Sequence, residues 1–229
     1  YRLVNRANYD NLDELTAEND FKPLHSLPRW KELCDAVKAN QPTMPELARE
    51  LAAILEEDQK YRQMIDSVEG KFGRESAEMK SLWKIMGQTD SVNTIRIKEV
   101  LDTHGWLGSK AVGAAGNSAL FLVIQHAEIE DQEKYLPMMR EAVKSGNAEG
   151  SSLALLEDRV LMRNGKRQIY GSQVGSDPKT GEMYFFPIED VDHVDERRAS
   201  VGLGPLAEYA GYFNLVWDAA AIEKNRKME

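Results

Sequence analysis

Charged side chains interrupt the apolar face of a predicted helix that begins near Thr43. Leu51 and Ile54 belong to that face at about 100° per residue, and Asp58 and Arg62 fall inside it. A spacing of four residues lets these two side chains pair, and a buried charge needs such a partner. The pair is therefore either an internal contact that fixes helix packing or part of a binding site.

An amide and an imidazole follow the most apolar stretch of the chain. Gln125 and His126 stand at the end of a predicted helix that is hydrophobic almost all round. Histidine is the side chain best suited to acid-base chemistry near neutral pH. His126 is our candidate catalytic residue, and the alternative is a structural histidine at a helix end whose hydrogen bonds are satisfied.

A second pair of charges lies inside an apolar helix, shortly before a predicted hairpin. Asp158 and Arg159 are flanked on both sides by leucine and valine, and on the hairpin Gln168 and Tyr170 share one face. Gly171 has no side chain, so a ligand or another backbone could approach it closely, or it could mark a bulge. We include the four polar residues among the candidate ligand-binding residues.

The last candidate is an arginine in a charged helix. Arg197 and Arg198 follow a run of acidic residues, and a solvated helix face with salt bridges is the default interpretation of such a run. If Arg198 points inward, its planar guanidinium would suit a carboxylate or phosphate ligand. Arg198 is therefore a candidate ligand-binding residue.

The patterns around these residues predict a mainly α fold. The helix of about 109–127 should be the buried centre of a helical bundle, because apolar residues cover nearly all its faces. Alternation with period two over about 167–188 predicts one β-hairpin. Further helices are predicted at about 43–68, 75–103 with a break near Gly87, 131–144, 151–163 and 191–201.

The chain is divided by a break near Pro42 into a helical N-terminal extension, 1–42, and a main α-helical domain with the hairpin, 43–229. The extension resembles the tail of a helical repeat region, although a helical pair packed on the main domain is an equal alternative. Since the chain starts at Tyr1 without a methionine, we expect that an N-terminal segment has been removed. The protein could be cytoplasmic or exported.

Composition excludes several classes of function. The 229 residues carry a formal charge of -9, which disfavours binding to nucleic acid or to an anionic membrane. The longest apolar run is far shorter than a membrane span, so no membrane insertion is expected. Cys34 is the only cysteine, and the four histidines are scattered. We therefore name no metal ligands, and the cofactor is unknown.

The order of several short motifs resembles one family. The match covers about 43–212 and looks like the uncharacterised bacterial domain-of-unknown-function family numbered six-six-two-four. Leu107 stands where that family usually has proline, and Ser172 where it often has threonine. The resemblance supports the domain boundary and implies no mechanism. It rests on Glu57-Asp58-Gln59, Arg62, Asn93, Gly105-Trp106, Gly113, Gln125-His126, Leu156, Asp158-Arg159-Val160, Gln168-Ile169-Tyr170-Gly171-Ser172-Gln173, Arg197-Arg198 and Val201-Gly202-Leu203.

Two functions are consistent with these features. In the first, the polar residues converge in one internal pocket that binds a small polar ligand, and the domain is an enzyme with His126 as acid or base. In the second, they form a structural network in a non-catalytic module that binds another protein. Familiar phosphate-loop, dinucleotide, zincin and nucleophile-elbow motifs are absent, so the residues do not decide whether the protein is an enzyme.

Overall fold

Helices dominate the structure, a computed structural model that describes residues 11–177 and 180–226. One antiparallel pair of strands accompanies them, which confirms the predicted mainly α fold with a single β-hairpin. The chain forms two compact units, and the division between them falls between Val123 and Ile124, inside one helix. None of the described helices is long and apolar enough to cross a membrane.

The first unit contains five helices and most of a sixth among its described residues. A 3-10 helix, Asn19–Leu24, links the first two, and the sixth helix continues beyond Val123 into the second unit. The helices are α1 (Leu12–Ala17), α2 (Pro28–Asn40), α3 (Pro45–Arg62), α4 (Ile65–Phe72), α5 (Ala77–His104) and α6 (Ser109–His126).

Two predicted helices differ from the observed ones. The helix predicted to run from Thr43 to about residue 68 is two helices, α3 and α4, separated at Gln63 and Met64. No side chain caps α3. Thr43 lies just outside the helix, and its N–H donates to the Lys110 carbonyl. In contrast, α5 passes through Gly87 without the predicted break.

The N-terminal helices have a small apolar cluster of their own. Leu15 of α1 and Val37 of α2 are its buried residues, and the partly buried Trp30 and Leu33 pack against them. The boundary of the N-terminal extension, 1–42, stays a prediction. The resemblance of this extension to the tail of a helical repeat region also stays a prediction.

Helices α3 and α6 pack side by side in the same direction. The N–H groups of Thr43 and Met44, just before α3, donate to carbonyls at the start of α6. Farther along, a Cβ added to Gly116 would lie 3.4 Å from the Leu51 Cβ, so α6 approaches α3 closely at that point. Both sets of contacts advance together along the two helices, which makes them parallel.

The second unit continues from the end of α6. Its elements are α7 (Ile129–Lys144), α8 (Gly150–Arg163), β1 (Val174–Ser176), β2 (Met183–Phe185), a 3-10 helix (Val191–His193), α9 (Val194–Ser200), α10 (Leu206–Gly211) and α11 (Ala219–Arg226). Val174 pairs with Phe185 in the hairpin. Phe185 also belongs to a buried cluster with Ile188, Val191 and Leu206.

The hairpin is confirmed, but its strands are much shorter than the predicted span of about 167–188. Gln168 makes only an isolated bridge to Ile188, and regular pairing starts at Val174. The segment between them is irregular because Gly171 adopts a positive φ of 66° and the nearby N–H groups bond to a side chain. The predicted alternation of faces from Gln168 to Tyr170 therefore does not apply.

Candidate functional site

Asp58 and Arg62 form the predicted ion pair, and a third charged residue completes it. The Asp58 side chain is fully buried on α3, and its Oδ1 lies 3.4 Å from Nη1 of Arg62. The same Nη1 donates to the Asp58 carbonyl at 2.5 Å, while Nη2 donates to both carboxylate oxygens of Asp90 at 2.8 Å. Gln59 donates to Oδ2 of Asp58 at 2.7 Å. Side chains thus hold both carboxylates in place.

Asp90 was absent from the sequence-based candidates, although the sequence contains a signal for it. The buried residues of α5 recur every three or four positions, and Met86, Asp90 and Asn93 fit this spacing. Asp90 therefore occupies a position where an apolar residue is expected, as Asp58 does on α3. Its side chain is about one-fifth exposed.

His126 lies on the last turn of α6, and several contacts fix that turn. After Gly113, whose φ of 70° interrupts the helix, α6 continues without a break to His126. The Gln132 side chain donates to the carbonyls of Gln125 and Ala127 at 2.9 and 3.2 Å, and Arg163 also donates to Ala127. The last carbonyls of the helix therefore have partners, which holds the end of α6.

Arg62 joins the two carboxylates of the first unit. It lies on α3 with Asp58, and its guanidinium contacts Asp58 on the same helix and Asp90 on α5. Asp90 is half-buried. We refer to Asp58, Arg62 and Asp90 as the carboxylate–arginine cluster.

The chemistry of this cluster suits a polar organic molecule. Carboxylates accept hydrogen bonds, and a guanidinium donates them.

Asp158 is arranged quite differently. Its buried carboxylate on α8 accepts backbone N–H groups of Ile169 at 2.6 Å, of Tyr170 at 3.0 Å and of Ser172 at 2.9 Å. Burial raises the pKa of Asp158, and the three N–H groups act in the opposite direction. The carboxylate therefore ties the irregular segment before β1 to α8.

Gln168 and Tyr170 also take part in attaching the segment before β1. Gln168 is fully buried; its Oε1 accepts the Gln173 N–H at 2.7 Å, and its Nε2 donates to the carbonyls of Gln173 and Phe186. The Tyr170 hydroxyl lies 3.5 Å from Glu157, and burial raises the pKa of Tyr170. The side-chain amide of Gln168 therefore bonds to the backbone N–H and carbonyl of Gln173, as a backbone amide would do in a turn.

Arg198 points inward, which was the condition for a role in ligand binding, but it contacts protein backbone. Its guanidinium is buried and donates to the carbonyls of Gly204 at 2.6 Å and Tyr170 at 2.8 Å. The ring of Tyr209 lies 5.1 Å from its Cζ. Arg197, which the candidates did not include, donates to the Ile169 carbonyl at 2.8 Å. Both arginines therefore hold the segment that Asp158 holds from the other side.

The remaining two candidates are Gln125 and Arg159. Gln125 is buried, its Nε2 lies 3.4 Å from the Leu155 carbonyl, and its Oε1 has no hydrogen-bond partner among the described residues. Arg159 is half-buried on α8. A buried amide oxygen without a donor is a position where a water or a ligand N–H or O–H would be stabilising.

The candidates thus form two groups with different partners. Arg62 joins Asp58 to Asp90, whereas Asp158, Gln168, Tyr170 and Arg198 build the attachment of the segment before β1. The convergence of all of them in one pocket stays a prediction. Two surface cavities of the second unit, of about 190 and 240 Å³, are lined by none of the candidates.

Comparison with known proteins places the chain in a family. No curated protein and no solved structure matches the chain. One family model does match, over residues 45–223, and it covers most of the chain, as the resemblance over about 43–212 implied. The chain belongs to DUF6624, a family of unknown function.

Proposed function

We propose that the domain binds a small polar ligand at the carboxylate–arginine cluster, Asp58, Arg62 and Asp90. The single observation that carries this proposal is the guanidinium of Arg62, which lies 3.4 Å from the buried Asp58 carboxylate and 2.8 Å from the carboxylate of Asp90 on another helix. Convergent polar groups in a largely apolar setting are what binding sites use to orient a ligand.

The chemistry of the site favours a ligand with hydrogen-bond donors. Asp58 and Asp90 bring two carboxylates, which accept hydrogen bonds. Because Arg62 and Gln59 already orient the carboxylates, little ordering is needed when a ligand binds. Asp90 retains some exposure, which gives a ligand access.

The catalytic role of His126 stays a prediction, because binding at this cluster does not by itself require proton transfer. Histidine is the side chain best suited to general acid-base catalysis near neutral pH. Whether the domain is an enzyme therefore depends on a turnover measurement with a ligand once one is found.

A ligand screen tests the proposal. Melting temperatures are measured for the full chain with a panel of small polar compounds (amino acids, amines, sugars and nucleosides) in buffer with EDTA. We expect at least one compound to stabilise the wild type and to lose this effect in Arg62→Lys and Asp90→Asn, since a ligand at about 100 times its Kd stabilises by about 2.7 kcal/mol.

Glu99→Gln is the matched control, since Glu99 is an exposed carboxylate on α5, the helix that carries Asp90. It should respond to the compounds as the wild type does. Equal stabilisation of the wild type and both cluster variants, or no response to any compound, would contradict a ligand site at the cluster.

For the second group of candidates, the alternative of a structural network has specific support. The carboxylate of Asp158, the amide of Gln168 and the guanidinium of Arg198 are all bonded to backbone groups. Their polar atoms are therefore engaged in holding the chain. The protein partner of the non-catalytic alternative stays a prediction.

A further inference from the structure

We propose that a cavity of the second unit binds a small aromatic carboxylate, with Lys224 as the residue that pairs with the carboxylate group. The cavity has a volume of about 190 Å³ and is lined by residues of β2, of the segment 215–217 and of α11. We refer to it as the aromatic cavity. It contains no residue of the carboxylate–arginine cluster, so the inference goes beyond the proposed function and adds a second site.

Aromatic rings form much of the wall of the aromatic cavity. Tyr184 and Phe185 come from β2, and Trp217 precedes α11. The ring of Phe185 is buried and lies 5.2 Å from the ring of Trp217, at an interplanar angle of 75°. This edge-to-face contact holds the indole in place, while Tyr184 and Trp217 stay half-buried. Because aromatic rings pair favourably in offset or edge-to-face arrangements, such a wall suits a planar aromatic ligand.

The size of the aromatic cavity selects a single ring. An apolar cavity of about 150 Å³ is large enough to hold benzene. A volume of about 190 Å³ therefore accommodates one six-membered ring with a short substituent. Met183 and Leu215 add aliphatic surface to the wall, which favours burial of the ring itself.

Lys224 determines the charge of the ligand. It is the one charged side chain among the described residues that line the aromatic cavity. Lys224 is exposed, and it has no ion pair or hydrogen bond among the described residues. Lysine can lay its methylene stem along apolar surface and keep its ammonium group in water. A ring in the cavity that carries a carboxylate would therefore meet a complementary charge, whereas an amine would meet a like charge.

The helix that carries Lys224 is already fixed at both ends. The carboxylate of Asp218 accepts the N–H groups of Ala220 and Ala221 at 3.0 and 2.9 Å, which caps the start of α11. Near its end, the buried Asn225 accepts the N–H of Ile188 at 2.9 Å, which ties α11 to the chain after β2. The walls are therefore in position before a ligand arrives, and little ordering opposes binding.

The experiment is a titration of the full chain, followed by ¹⁹F NMR, with three fluorinated probes that differ only in charge. The probes are 4-fluorobenzoate, 4-fluorobenzyl alcohol and 4-fluorobenzylamine, all at pH 7. We expect saturable binding of 4-fluorobenzoate with a Kd on the order of 1 mM, because so small a ligand makes few contacts. The alcohol should bind about threefold more weakly, and the amine more weakly still.

Two variants separate the shape of the cavity from its charge. Ala221→Leu adds apolar volume from a half-buried position in the wall, so it should weaken binding of 4-fluorobenzoate about tenfold. Lys224→Met keeps an unbranched side chain and removes the charge. It should weaken binding of 4-fluorobenzoate about threefold and leave binding of the alcohol unchanged. If Ala221→Leu does not fold, the altered preference of Lys224→Met decides the question.

Each variant has a matched control that does not line the aromatic cavity. Ala220→Leu changes the exposed neighbour of Ala221, and Lys166→Met removes an exposed lysine of the same unit. Both should bind 4-fluorobenzoate as the wild type does. Absence of saturable binding at 10 mM, or binding that neither Ala221→Leu nor Lys224→Met weakens, would overturn the site. Equal affinity of the wild type for the acid and the alcohol would overturn the carboxylate as the ligand group.

The two proposals fail separately. Asp90→Asn alters the carboxylate–arginine cluster of the first unit and should bind 4-fluorobenzoate with unchanged affinity. Loss of binding in this variant would overturn the assignment of the probe to the aromatic cavity. A negative titration beside a positive ligand screen removes the aromatic cavity as a site and leaves the proposed function.

Discussion

Asp58 and Asp158 are both buried aspartates inside apolar helices, yet they bond to different kinds of partners. Asp158, in the second unit, accepts three backbone N–H groups from the segment 169–172. Asp58, in the first unit, contacts the side chains of Gln59 and Arg62. The carboxylate in the second unit therefore determines the path of the chain, whereas the one in the first unit belongs to a cluster of side chains.

The difference shows that burial of a charge does not by itself identify a functional site. Backbone N–H groups bound to Asp158 cannot be exchanged for a ligand without releasing the chain. Side chains such as Arg62 and Gln59 can move while their helices stay folded. Four substitutions or titrations test this contrast, with decreasing expected effect.

The largest effect should come from Asp158→Ala. It leaves three buried N–H groups without an acceptor, so we expect the free energy of unfolding to fall by about 3–5 kcal/mol, measured by urea denaturation. Asp158→Asn should destabilise the protein less. Its side-chain oxygen can still accept hydrogen bonds, and its NH₂ group faces only one of the N–H groups. Glu130→Gln, an exposed carboxylate on α7, should change stability by about 0.5 kcal/mol or less. A small loss of stability in Asp158→Ala would contradict the structural role of the Asp158 carboxylate.

Gly171→Ala tests the same segment through its backbone. Gly171 has a φ of 66°, and an added Cβ would lie 2.8 Å from Cδ1 of Ile188. Conformational strain and crowding should together destabilise the protein by about 2–3 kcal/mol. Gly146→Ala, at a φ of 74° with no atom within 4 Å of the added Cβ, should show only the strain, about 1 kcal/mol. Equal losses in thermal unfolding would show that the segment has room to move.

Arg62→Lys tests the side-chain cluster of the first unit. Lysine cannot reproduce the fork that contacts Asp58 and Asp90, so we expect a loss of about 1 kcal/mol in urea denaturation. Arg49→Lys, on the same helix and paired with the exposed Glu46, is the matched control and should have almost no effect. If Arg62→Lys costs as much as Asp158→Ala, the two regions do not differ in the way we propose.

The smallest effect is the titration of an exposed pair in the second unit. Nδ1 of His193 lies 3.0 Å from both oxygens of Asp190, and this hydrogen bond raises the pKa of His193, helped by the charges of Asp190 and Glu196. The stabilisation is present below about pH 6.5, the ordinary value, and is lost as pH rises through the higher folded pKa. NMR titration should show a lower pKa for His193 in Asp190→Asn. An unchanged value would show that the pair does not form in solution.

Most of the fold and part of the site could be predicted from the chain alone. The apolar helix before His126 and the caps and breaks around it are local signals, and they predicted α6 almost to the residue. The pairing of Asp58 with Arg62 follows from a spacing of four residues on one helix. Asp90 interrupts the apolar face of its own helix in the same way, but its pairing with Arg62 could not be predicted, because the partner is 28 residues away on another helix.

What the sequence determined by itself is the set of elements and the unusual placement of charges on their apolar faces, because both follow from spacing within one helix or strand. Only the tertiary structure decided which partners these charges have. Asp158 and Arg198 meet the backbone of a distant segment, which shortens the predicted strand, while Asp58 and Asp90 share the guanidinium of Arg62. The physical reason is that a buried polar group must find a partner, and packing between elements, rather than local spacing, determines which one lies within reach.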